Sequence, residues 1–145
     1  MTGVELIAAE RKRQIMEEGW TAQHDKQHTD GSLAIAAVCY ATPERIYCKD
    51  EFDRGLQFID PWPWDHRWDK RFDYGERKKN HGNVPPDPQT YAHSERVDLL
   101  IKAGALIAAE IDRLQALEKN RLNKKPQDRR SGVSEGYGPH GDSGT

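Results

Sequence analysis

The sequence predicts an all-α protein: a small helical bundle that carries a long tryptophan-rich loop insertion and ends in a disordered tail. Three observations predict it. Apolar residues recur at three- and four-residue spacing in three separate stretches. Residues 42 to 93 hold most of the prolines and three of the four tryptophans, without a clean period. After residue 120 apolar residues almost vanish. The chain has 145 residues and a mass of 16.6 kDa, enough for one modest core. A hydrophobic fraction of 35% and a mean hydropathy of -0.96 keep that core small. The helical domain is therefore placed at 1–120, with 42–93 as its insertion and 121–145 as its tail.

The first helix is expected over residues 3 to 18. Val4, Ile7, Ala8, Arg11 and Ile15 repeat at helical spacing, and Gly19 is a natural stop. A polar loop, WTAQHDKQHTDG, follows. The stretch SLAIAAVCYA is apolar almost all round, as a buried helix should be, and predicts a helix over 33–41 with Ser32 as its cap. The insertion reads as an ordered loop with one short helical turn, and GERKKNHGNVPPDPQT as its mobile part. Trp62, Trp64 and Trp68 are expected either to serve a ligand or to cluster on the core, and the two roles are compatible. A long helix is expected over 94–118, capped by Ser94 with Glu95 in the first turn. Its main apolar face reads Val97, Leu100, Ile101, Gly104, Ile107, Ala108, Ile111 and Leu114; Leu99, Ala103 and Leu106 lie away from it. A helix apolar on two sides packs against two things, which predicts a homo-oligomer, a dimer or a dimer of dimers.

The net charge of -2, from 24 acids and 22 bases, argues against a general nucleic-acid coat. Cys39 and Cys48 form no CxxC pair and read as reduced thiols of a cytoplasmic protein. The first residues lack the apolar run of a signal peptide, and no segment is long enough to span a membrane. The sequence has no Gly-rich phosphate loop and no GxSxG elbow.

Two places invite chemistry. Glu95 and Asp98 stand three residues apart at the start of the long helix, where both can face one divalent cation and the helix dipole favours anions. The HDKQH segment offers His24, Asp25 and His28, but it follows a Gly-Trp pair and has no further ligand nearby to complete a tetrahedral zinc site.

The run ERKRQ, then Gly-Trp, then a His-Asp loop, then an Ala-rich helix resembles the N-terminal part of small phage and prophage MazG-like proteins. The later stretch ERVDLLIKAGALIAAEIDRL is similar to that family's later helix, where an ExxD pair completes a magnesium site. The resemblance implies an all-helical nucleoside triphosphate pyrophosphohydrolase that uses Mg²⁺, with Glu95 and Asp98 among the metal ligands. The family's first acidic motif, EExxE, is missing: the helix that should carry it reads SLAIAAVCYA. A scaffold without those acids, enriched in aromatics and arginines, is expected to bind a nucleotide, a cyclic nucleotide or another nucleotide-derived signal. In a phage setting it would sequester that signal against host defence. An active Mg²⁺-dependent pyrophosphohydrolase and a protein-binding inhibitor module are the alternatives. The expected pocket is bordered by Arg11, Arg13, Trp20, His24 and Asp25. Trp64, Arg67, Trp68 and Lys70 cover it from above, with rings to stack on a base and cations to hold phosphate.

Overall fold

Helix α1, Gly3–Glu18, begins in a capping box. The Thr2 hydroxyl accepts from the Glu5 N–H at 3.2 Å, and the Glu5 carboxylate accepts from the Thr2 N–H at 3.0 Å. It stops at Gly19, whose φ of 73° lies in the left-handed region that favours glycine. These details come from a computed structural model that describes residues 1–21, 28–52, 55–75 and 84–124. Helix α2 is Ser32–Ala41, and the long helix α3 is His93–Asn123. Among the described residues the fold is carried by these three helices, with α1 and α2 both packed on α3.

Two expected caps are corrected. The residue before α2 is Gly31 in the left-handed conformation; Ser32 is the first helical residue, and the Asp30 carboxylate accepts its N–H at 3.1 Å. Ser94 does not cap α3. The helix starts one residue earlier, because the Glu95 carboxylate reaches back to the Ala92 N–H at 2.8 Å. Helix α3 also runs to Asn123, past the expected end at 118, so residues 121–123 of the expected tail are helical. Ion pairing of Arg121 with Glu118 supports that extra turn. Residues 125–145 lie outside the described residues.

The insertion holds more structure than one helical turn. Strands β1, Cys48–Phe52, and β2, Gly55–Ile59, pair antiparallel with Cys48 opposite Ile59 and Phe52 opposite Gly55. Short 3-10 turns follow at His66–Trp68, Lys70–Asp73 and Pro88–Thr90. The expected mobile stretch falls partly on residues 76–83, outside the described residues.

The core joins Leu33, Ala36, Ala37 and Tyr40 of α2 to Leu99, Ala103, Leu106 and Ala109 of α3. Trp20, Trp62, Trp64, Tyr74 and Tyr91 pack against it. Leu33, Leu99 and Leu106 are fully buried, each contributing about 1.5–3 kcal/mol. The two faces expected for α3 are thus exchanged in part, with Ile101, Gly104 and Ala108 staying half-buried. Leu99, Ala103 and Leu106, thought secondary, form the core, whereas Val97, Leu100, Ile107, Ile111 and Leu114 are 39–50% exposed. The reason is packing distance: alanines let two helices approach closely, and the larger aliphatic side chains are left outside. On α1, Val4 and Ala8 face solvent, and Gln14 is the buried residue.

Helix α1 is tied to α3 by charge as well as packing. Lys102 meets Glu10 at 3.5 Å, and Arg11 approaches Asp112 at 4.0 Å. The other flank of α3 is tied to α2 by Arg96, whose guanidinium donates to the Tyr40, Ala41 and Thr42 carbonyls. These are backbone acceptors left open at a helix C-terminus. No helix among the described residues is long and apolar enough to cross a membrane.

Candidate functional site

The turn after α1 sets the first wall. Gly19 and Trp20 both donate backbone N–H groups to the Gln14 carbonyl, and Arg11 Nη1 donates to the Trp20 carbonyl at 3.1 Å. Trp20 is thereby aimed at the insertion, where its ring stands edge-on to Trp64 at 6.2 Å. Trp64 also meets His28 at 5.2 Å and Trp62 at 5.4 Å, and Trp62 meets Tyr40 at 5.2 Å. Edge and tilted contacts at these distances are the favoured geometries of aromatic pairs.

The insertion is held over α2 by backbone hydrogen bonds. The Tyr40 hydroxyl accepts from the Lys70 N–H at 3.1 Å and donates to the Trp68 carbonyl at 3.4 Å. Beneath this, Arg71 lies between two carboxylates. It donates to Asp60 at 3.1 and 2.7 Å and to Asp69 through Nε and Nη2, and its guanidinium sits 5.6 Å from the Trp62 ring centre. Burial works against the charged guanidinium, but the bonds from Asp69 and Asp60 outweigh it and hold its pKa above the usual arginine value.

These elements enclose an open cavity of about 420 Å³, lined by Glu18, Trp20, His28, Leu33, Trp64, Asp65 and Trp68. That is the size of small-ligand sites. Both carboxylates at its edge are already paired. Glu18 bonds Arg13, which also takes Glu10 at 2.7 Å. Asp65 accepts the Arg67 backbone N–H at 2.9 Å and its guanidinium at 3.1 and 3.2 Å, and these bonds hold its carboxyl below the usual range. His28 Nδ1 lies 3.3 Å from the Ser32 hydroxyl. Three indole rings make up most of the apolar wall.

Of the residues expected at the pocket, Trp20, Trp64 and Trp68 line it. Arg11 stands behind Trp20, and Arg13 and Arg67 each grip a lining carboxylate. Lys70 contributes its backbone N–H to Tyr40. His24 and Asp25 lie outside the described residues. Glu95 and Asp98 are used as latches: Glu95 also accepts the Gly75 N–H at 3.3 Å, and Asp98 accepts the Tyr74 hydroxyl. Among the described residues, no three His, Cys, Asp or Glu side chains gather as a metal-ion set. Sequence reasoning missed Glu18, His28, Leu33 and Asp65 as lining residues, and it missed the Asp60–Arg71–Asp69 triad. A local signal existed: Asp65-His66-Arg67 and Asp69-Lys70-Arg71 repeat one pattern, in which an aspartate caps a short turn and catches the arginine two residues on.

No family model, curated protein or solved structure matches the chain.

Proposed function

We propose that the chain binds a nucleotide or nucleotide-derived ligand on a MazG-like helical scaffold, with the base stacked in the tryptophan cavity. The observation that supports this most is the convergence of Trp20 with Trp64 and Trp68, from segments far apart in sequence, on one open cavity. Indole faces accept any base, and Arg67, 78% exposed at the rim, is suited to meet a phosphate. In this reading the protein sequesters its ligand, a role that fits a phage countering a host signal. It works as a homo-oligomer in the cytoplasm of its host cell.

The test is a panel of nucleotides and cyclic nucleotides, with and without Mg²⁺, read by thermal shift and by chromatography of the same samples. Binding without turnover is the expected result. Mg²⁺-dependent turnover would instead establish the pyrophosphohydrolase, and no binding at all would favour a protein-binding module. Trp68 is 54% exposed. Trp68→Ala should therefore leave the melting temperature unchanged and weaken binding about tenfold or more, the value of one lost stack of roughly 1–3 kcal/mol. Unchanged affinity would remove the cavity from the binding site.

A further inference from the structure

The exposed residues of α3 are not scattered. Val97, Leu100, Gly104, Ile107, Ile111 and Leu114 follow one another at intervals of 3, 4, 3, 4 and 3 residues, the alternation of a coiled-coil seam. The seam runs about 26 Å along the helix at the usual rise per residue. It carries no charge. Its one gap, Gly104, is filled from the same chain: a Cβ there would meet Ile7 Cδ1 at 2.5 Å, so Ile7 lies against the bare backbone. On one flank Arg96 draws α2 against α3, and on the other Lys102 and Asp112 face α1. The seam is left open between them. Its five large side chains are each 39–50% exposed and together present several hundred Å² of apolar surface, a size that marks contact sites.

The residue order of the seam selects an occupant. Read in reverse, it matches itself: a large side chain opposes a large one at every level but the middle. We infer that a second copy of the chain docks here, α3 against α3, antiparallel about a two-fold axis passing between Gly104 and Ile107. This deepens the oligomer reading above and rests on it. Val97 then meets the partner's Leu114, Leu100 meets the partner's Ile111, and Gly104 with its Ile7 cover meets the partner's Ile107. The next seam positions outward are His93 and Glu118. In this register Glu118 faces the partner's His93 at the positive end of the partner's helix dipole, whereas a parallel pair would set Glu118 against its own copy. A two-fold contact of this kind closes on itself.

The experiment uses the full chain with the exposed Cys48 replaced by serine, leaving the buried Cys39 in place. Light scattering at micromolar concentration should give twice the 16.6 kDa chain mass. Ile111→Glu, at a half-exposed position, should give the single-chain mass with an unchanged helical circular dichroism spectrum. Val97→Cys and Leu114→Cys together should cross-link two chains under oxidation, and Val97→Cys alone should not. A wild-type monomer overturns both the oligomer reading and this pairing. An oligomer that survives Ile111→Glu, or one cross-linked through Val97→Cys alone, overturns the pairing only.

Discussion

Arg71 shows how much one side chain can organise. Its side chain is 5% exposed and that of Asp69 is 1% exposed, so the charges face each other away from water. The planar fork serves two carboxylates at once, which a lysine cannot do. Removing one partner of a buried pair costs about 3–5 kcal/mol because the other charges stay buried. Arg71→Met should therefore lower unfolding stability by about that amount in a denaturant titration, and Arg71→Lys should recover only part of it. A loss under 1 kcal/mol would show that the carboxylates find water instead. Cys39, buried nearby, has its thiol pKa pushed up to about 12 by burial, so it should stay inert to alkylation until the chain unfolds.

At the scale of elements, much was legible. The limits of α1 follow from Thr2, Glu5 and Gly19, which are local signals. The exchanged faces of α3 were not legible, because apolar periodicity identifies a stripe but not what covers it. The core face is rich in alanine because α2 comes close, and no local rule reports that distance. The hairpin was missed for a related reason: its strands, CKDEF and GLQFI, are five residues each, too short for alternation to stand out. Trp64 and Trp68 were legible as aromatics near prolines and Trp20 from its Gly-Trp pair, whereas Leu33 joined them only through the fold. Gly104 gives this scale its prediction. An alanine would gain about 1 kcal/mol of helix propensity but press its Cβ into Ile7, an overpacking cost of about 1–3 kcal/mol. Gly104→Ala should thus be neutral to destabilising, and adding Ile7→Ala should make the alanine favourable. Thermal melts of the four variants in this cycle measure the coupling.

For the whole molecule, acid should undo the docking of α1. Burial pushes the Glu10 carboxyl up, but hydrogen bonding from Arg13 and the charges of Lys102 and Arg13 outweigh it, leaving the pKa below the ordinary 4.5. A folded pKa below the unfolded one adds stability above the unfolded value, and that stability is lost as pH falls through the folded value. Wild type should therefore be more stable than Glu10→Gln at neutral pH, with the gap closing as the solution is taken below pH 4.5. A gap that is constant with pH would mean the carboxylate acts only through shape.

The four indoles of the chain gather about one site: Trp20 and Trp62 each stand edge-on to Trp64, and Trp68 lines the same cavity as Trp20 and Trp64. The protein is in consequence its own optical instrument. Its tryptophan emission reports that site alone, and rings this close couple their transitions into a near-ultraviolet dichroic band that a planar guest would distort. The helical signal, by contrast, comes mainly from α3. Following both during unfolding would separate loosening of the aromatic roof from melting of the bundle, without any label added.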